Sequence, residues 1–255
     1  MTPTCGGLIS PPTAAPLGDI DDAAGIRPAG AAGGRGPAPL LARVLGAGLG
    51  ACSRWPRAPH LYSDRMVAVE IAFTNHTAHD VTNITVTKKA AGGRRVHAGA
   101  ALAALAPAAS AALTLGVDFA DSIQPIDFTI ASSLGEINVS ITPPVGELMR
   151  AVTMSEARWD AEQRRLRGMT ECVKKAVKLE DEASTCKRVF ETANLGLITG
   201  TGDFLRFAGR MMSSQDLVLL SVKVEADGAR VIANCPNMAI ASMLANEVAQ
   251  AFART

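Results

Sequence analysis

The sequence predicts a β-sandwich followed by an α/β subdomain built on an antiparallel sheet. Three observations carry this reading. Between Met66 and Ile141, short segments alternate apolar and polar residues and are separated by turn residues, the pattern of half-buried strands. Pro143-Pro144 ends the last of these segments, because proline has no amide proton for a ladder. Beyond it the order reads helix, strand, helix, three strands, helix, which suits an antiparallel sheet with helices packed against it. On this reading residues 1–41 are a disordered linker, 42–146 the sandwich and 147–255 the α/β subdomain. The double proline reads as a hinge between two separate layers.

The elements follow in order. Alanine, glycine and proline make up about half of residues 1–41 and no apolar period is visible, so the segment cannot bury enough surface to offset its ordering entropy. It is a linker or, alternatively, translated untranslated sequence. Gly46, Gly48 and Gly50 resemble a phosphate-binding loop but lack the strand before and helix after that such a loop needs. They read instead as close backbone approach at an edge strand. Val67, Val69, Ile71 and Phe73 mark a strong strand, and Val81–Lys88 a second. The alanine-rich stretch 98–112 favours helix by propensity, yet Pro107 and its neighbours favour a loop and strand edge. Ala111–Phe119 is another strand, and Ile126–Ile130 and Ile137–Ile141 form a hairpin turned by Ser133-Leu134-Gly135.

In the second half, Thr153-x-x-Glu156 has the spacing of a capping box. The helix it opens runs about 14 residues, with Trp159 and Leu166 as its thin apolar stripe, and stops at Gly168. Met169–Leu179 reads as a strand. Asp181-Glu182 begins a second helix whose apolar face is Cys186, Phe190, Ala193 and Leu197. Strands follow at Phe204–Met211, Leu217–Glu225 and Arg230–Asn234, the last two joined by Asp227-Gly228 as a hairpin. Pro236-Asn237 opens a final helix with Ala241, Leu244, Val248, Ala251 and Phe252 inward.

Composition narrows function. The net charge of +1 gives no global pull towards nucleic acid. The five cysteines lie far apart without a CxxC pair, which favours reduced thiols in the cytosol. No apolar run reaches the length of a membrane span, and no signal peptide is visible. The sequons at Asn75, Asn83 and Asn138 are therefore read as the polar half of strands. His76 and His79 beside Asp80 have a metal-like spacing, but in a turn that spacing means little. Gly200-Thr201-Gly202-Asp203 is half a dinucleotide fingerprint that leads into a strand, hence a loop. No nucleophile elbow or catalytic cysteine signature occurs, so neither a catalytic residue, a metal nor a cofactor is expected. Arg158, Arg164, Arg165, Arg167, Lys174, Lys175, Lys178, Lys187 and Arg188 form a basic cluster. It reads either as solvated surface or as a patch for anionic membrane or acidic peptide. Aromatics do not interleave with it, which argues against nucleic acid as a partner.

Several segments carry a more specific resemblance. VDFADSIQPIDFTI (117–130), INVSITPPVGELM (137–149), VTMSEARW (152–159) and LRGMTE (166–171) resemble the C-terminal ear of the beta subunit of adaptor protein complex 3. GAGLGACSRWPR and SDRMVAVEIAFTNHT upstream, and ETANLGLITGTGDFLRFAGRMMSSQDLVLLSVKVE downstream, extend the resemblance over residues 42–255. It implies an all-β immunoglobulin-like sandwich followed by an α/β platform, a non-enzymatic module that binds short peptides of accessory or cargo-sorting proteins. It also implies a complex, with other adaptor subunits as partners, peripheral on cytoplasmic Golgi and endosomal coated-vesicle membranes, sorting cargo towards lysosomes and related organelles. The family's helical-repeat trunk is absent, so the resemblance implies a truncated product or fragment.

In ears of related clathrin-associated beta subunits an aromatic on the platform's first helix grips the peptide. Here that position aligns with Gln163, four residues after Trp159. The expected site is a shallow groove near Trp159 and Gln163, rimmed by Arg158 and Lys174, with Trp159 either in the groove or a core anchor. Two other readings compete. A secreted or cell-surface sandwich binding protein would carry glycans at Asn75 and Asn83. An enzyme on the α/β half would need a deep pocket of converging polar groups, for which the sequence offers no set.

Overall fold

The computed structural model describes residues 27–28, 36–57, 63–88, 95–168, 170–176, 181–200, 204–225 and 228–253. The first strand, β1 (Arg27–Pro28), joins the sheet of the second subdomain. The sandwich comprises β2 (Ala38–Leu41), β3 (Leu49–Arg54), β4 (Val67–Asn75), β5 (Val81–Lys88), β6 (Arg95–His97), β7 (Leu102–Leu105), β8 (Ser110–Asp118), β9 (Ile126–Ser132) and β10 (Gly135–Ile141). One antiparallel sheet runs β2-β3-β4-β8-β6 and the other β10-β9-β5-β7. The alternation read from sequence is the packing: Val69, Ile71 and Phe73 of β4 meet Leu115 of β8, Phe128 and Ile130 of β9 and Ile84 of β5 in one buried core. Burying each such side chain contributes roughly 1.5–3 kcal/mol.

Three expectations for this half change. Strand β2 lies inside the stretch assigned to the linker. It pairs with β3 and buries Leu41, so the sandwich begins before residue 42. Gly46 and Gly48 sit in the turn before β3, and β2 rather than β3 is the edge. A Cβ on Gly46 would lie 1.9 Å from the Leu49 carbonyl oxygen, so the close approach is real but belongs to the turn. The alanine-rich stretch holds edge strand β7, in line with the loop and strand edge expected there, and its Ala103 and Ala104 face solvent. Asn75, the first sequon, is fully buried. Its side-chain amide donates to the carbonyls of His79 (2.8 Å) and Leu105 (2.9 Å), and its Oδ1 accepts from the Thr77 amide and hydroxyl (2.8 Å each). Asn75→Ala strips these buried groups of their partner and is expected to cost about 2–3 kcal/mol, read as a lowered thermal midpoint by circular dichroism.

The second subdomain is an antiparallel sheet with helices on both faces. A 3₁₀ turn (Val145–Leu148) leads to β11 (Met149–Thr153), α1 (Glu156–Arg165), β12 (Glu171–Ala176), α2 (Glu182–Ala193), β13 (Gly196–Ile198), β14 (Phe204–Met211), β15 (Leu217–Glu225), β16 (Gly228–Asn234) and α3 (Met238–Ala253). Its sheet runs β1-β11-β14-β15-β16-β12, with β13 also on β14. Helices α2 and α3 cover one face, through Val189, Ala193, Leu244 and Val248 against Phe207, Leu220, Val222 and Val231. Helix α1 covers part of the other, through Trp159 and Leu166 against Ala208, Leu217 and Leu219.

Here too the sequence reading shifts. Strand β11 stands where a helical pattern is expected, and Thr153 ends it. The cap of α1 is Ser155, whose hydroxyl accepts from the Arg158 amide, and the helix ends at Arg165, short of Gly168. Helix α2 is capped by Asp181 and closed by Asn194 in the left-handed region (φ 51°). That closure puts Leu197 on β13, 42% exposed; of the expected face Ala193 is buried and Cys186 packs half-buried against the core, and Thr185, Val189 and Thr192 complete it. The three strands of the expected meander are β14, β15 and β16. The Asp227 turn, residues 201–203, Lys178 and most of the linker lie outside the described residues.

The largest correction concerns the junction. The expected hinge is a packed block. All four residues of the Val145–Leu148 turn are buried, and a Cβ on Gly146 would lie 2.1 Å from the Thr192 carbonyl oxygen of α2. One hydrophobic core runs from the sandwich through Val145, Leu148 and Met149 into the platform, so the two layers are not separate. Polar ties reinforce it. Asp118 and Asp121 accept from the Ser213 hydroxyl (2.7 Å), the Ser213 amide (2.9 Å) and the Ser214 amide (2.7 Å). Arg57 forks onto Glu147 at 2.9–3.1 Å, with both side chains at most 2% exposed. The same guanidinium donates to the carbonyls of Phe190 and Glu191 (2.7 Å each) near the end of α2, where the Phe190 carbonyl also accepts from the Asn194 amide (2.9 Å).

Candidate interaction site on the platform

The expected site centres on α1, a highly charged helix that meets the sheet through few apolar residues. Trp159 fixes it there. The indole is fully buried, its Nε1–H donates to the Phe207 carbonyl at 3.0 Å, and its ring packs at 6.4 Å against Phe204. A buried tryptophan needs such an acceptor. Arg206, itself buried, lies with its guanidinium 4.1 Å from the Phe204 ring centre and 5.6 Å from that of Trp159. It pairs with Glu156 at 3.0 Å and approaches Asp160 at 3.5 Å, both on α1. The helix is thus bolted down by one aromatic and one cation.

Around this bolt, Glu162 bridges Arg158 (2.5 Å) and Arg165 (2.8 Å) along the helix. The Arg158 Nε is buried and meets no acceptor among the described residues. Gln163 is half-buried on the same helix, two turns from the N-cap. At the C-terminal end, the Asn234 amide donates to the Leu166 carbonyl (3.0 Å) and to Glu171 (3.2 Å), fixing the exit from α1 to β12.

Two family models match the chain. One, "AP-3 complex subunit beta-1, C-terminal domain", takes residues 146–252. The other describes the C-terminal part of the clathrin-adaptor complex-3 beta-1 subunit and takes residues 1–124. The chain belongs to the family of AP-3 beta C-terminal domains. It is 36% identical over 218 residues to AP-3 complex subunit beta-2 of Mus musculus, covering 83% of this chain and 20% of that protein. To AP-3 complex subunit beta-1 it is 34% identical over 215 residues in Mus musculus and 33% over 215 in Homo sapiens, covering 82% and 20% each time. The chain therefore spans about one fifth of the length of these relatives.

In this member of the AP-3 beta family the expected site residues do not all come together. Arg158 and Gln163 share α1. Trp159 lies under the helix rather than on the surface, so no peptide touches it without displacing α1. Lys174 is on the other side of the sheet. It pairs in register with Val231, which is buried beneath α2 and α3, and side chains in one cross-strand register point to one face. Lys187 and Arg188 are on α2, on that far side as well, with Lys187 near Glu191 (3.9 Å) and Arg188 donating to the Ala251 carbonyl (3.1 Å). The basic cluster read along the chain is therefore split by the fold.

Chemistry-bearing groups are placed for structure. Among the described residues no set of three or more His, Cys, Asp or Glu could hold a metal. Burial pushes the Cys235 thiol up to about 11, which keeps it a protonated, unreactive side chain. No helix among the described residues is long and apolar enough to cross a membrane. Arg57, Glu147 and Arg206 are structural residues that the sequence reading does not single out. Their one signal is charge at positions that alternation or a helical turn would fill with apolar residues.

Proposed function

We propose that this chain acts as a non-enzymatic ear that recruits accessory or cargo-sorting proteins through short peptide motifs. In a full-length AP-3 beta subunit it would sit with the other subunits on cytoplasmic Golgi and endosomal coated-vesicle membranes, serving transport to lysosomes and related organelles. The observation that carries the reading is the step where α1 rises from the platform sheet. There Arg158 offers a buried donor without an acceptor among the described residues, beside half-buried Gln163 on the same helix. The Arg158 side chain as a whole is 39% exposed, so a shift of the side chain brings this donor to a peptide carbonyl or carboxylate and relieves a desolvation cost of about 1–3 kcal/mol. Trp159 supplies rigidity rather than a stacking surface, and Lys174 is too far round the sheet to rim the same groove.

The test is affinity capture from cytosol with the 255-residue chain as bait. Vesicle-transport accessory proteins are expected to be retained by the wild type and lost with Arg158→Glu combined with Gln163→Glu, in a variant that still shows the wild-type circular dichroism spectrum at the assay temperature. A bait that retains none of them, or retains them equally in the double variant, overturns the reading.

A further inference from the structure

We propose that the part of the platform sheet left bare by α1 binds an extended, acidic protein segment through a row of cations, Lys175, Arg230 and Lys223. This rests on the peptide-binding reading above and names the ligand class and a second contact surface for it. The row is set by register. Lys175 of β12 pairs with Arg230 of β16, and Arg230 pairs with Lys223 of β15. Three positive side chains thus stand directly opposite one another on adjacent strands, on the face that carries α1. The next row on that face is Val173, Ile232 and Ser221, which leads to Arg206. Val173 is 47% exposed, neither Val173 nor Ile232 belongs to the apolar cluster that α1 makes with the sheet, and Lys175, Arg230 and Lys223 are exposed.

Like charges facing each other across strands destabilise a sheet, so this arrangement calls for an anionic counterpart. The sheet does not supply one in full. Among the described residues this face carries two carboxylates on its strands, and both are engaged: Glu225 with Arg230 at 2.5 Å, and Glu171 with the Asn234 amide. Lys175 and Lys223 have no carboxylate of their own among the described residues and are exposed.

The shape selects a protein segment over a bilayer. A helix with its side chains is roughly 10 Å thick, so α1 stands as a wall beside the row. A flat membrane would meet α1 before it met the lysines. An extended chain fits into the recess. Its same-side residues recur about every 7 Å and strands are spaced about 5 Å apart, so alternate carboxylates or phosphoserines reach successive cations. The residues between them can turn an aliphatic side chain onto Val173 and Ile232.

The experiment uses the whole chain and a fluorescent peptide that alternates glutamate and valine, its lysine-for-glutamate counterpart, and phosphatidylcholine vesicles containing phosphatidylserine. The acidic peptide is expected to bind, with affinity falling as salt rises, and the lysine peptide to stay free. Lys175→Glu with Lys223→Glu should weaken binding roughly tenfold or more, and Lys175→Ala with Lys223→Ala by about threefold. The alanine pair should leave the thermal midpoint equal or slightly raised, because it relieves repulsion. Equal peptide binding by wild type and both variants, no peptide binding at all, or vesicle binding in place of peptide binding overturns the proposal. If Arg158→Glu with Gln163→Glu abolishes capture from cytosol while the lysine variants leave peptide binding intact, the row falls and the ear reading stands.

Discussion

Arg57→Ala is expected to lower stability by about 3–5 kcal/mol, seen as a shift of the urea midpoint for the whole chain. The ion pair it breaks is buried on both sides, with the two side chains 2% and 1% exposed. Removing the guanidinium leaves the Glu147 carboxylate without its partner in a low-dielectric junction, and strips the Phe190 and Glu191 carbonyls of a charged donor. The cost of the single change is therefore mostly that of an orphaned charge and not of a lost attraction. A double variant, Arg57→Met with Glu147→Leu, removes both charges at similar volume and should recover most of the loss. Because the core runs continuously through this block, sandwich and platform should melt together in the wild type. Two well-separated transitions in the wild-type protein, or a single variant that unfolds at the wild-type midpoint, would contradict the clamp.

Trp159→Ala should cost about 3–5 kcal/mol and Trp159→Phe about 1–2 kcal/mol, the latter for the lost indole bond to the Phe207 carbonyl. The first change opens a large cavity between α1 and β14 and leaves Arg206 without one of its two aromatic faces. The pair separates the two roles expected for this residue. A core anchor predicts that the phenylalanine variant, once folded, captures accessory proteins as the wild type does. A groove residue predicts that capture fails while stability holds. Chemical denaturation read alongside capture efficiency distinguishes them.

How much of this is visible in the chain differs by element. The strands of the sandwich and the three strands β14, β15 and β16 are legible because period-two alternation is a local property and Val69, Ile71 and Phe73 obey it. The final helix is legible for the same reason at helical period, with Ala241, Leu244, Val248 and Phe252 all inward. Strand β11 is hidden because five residues, Met149–Thr153, flanked by a 3₁₀ turn and a helix, show too little alternation to separate them from a helical run. Leu197 misleads because apolar spacing carries on past the point where Asn194 turns the chain into the left-handed region. The candidate site is only partly legible. Arg158 and Gln163 share a helix and so stay together, whereas Lys174 is near them in sequence alone.

Element types, most of their boundaries, the sandwich-then-platform order and the family resemblance can all be read from the residues in line, since each depends on neighbours within a turn or two. Folding in three dimensions was needed to bring Arg57 to a carboxylate 90 positions away, to turn Trp159 inward, and to stand Lys175, Arg230 and Lys223 in one row. The cause lies in the pairing of β12 with β16 across the sheet and not with its neighbours in the chain. Burial and charge clustering are set by that long-range register, which no local pattern of residues encodes.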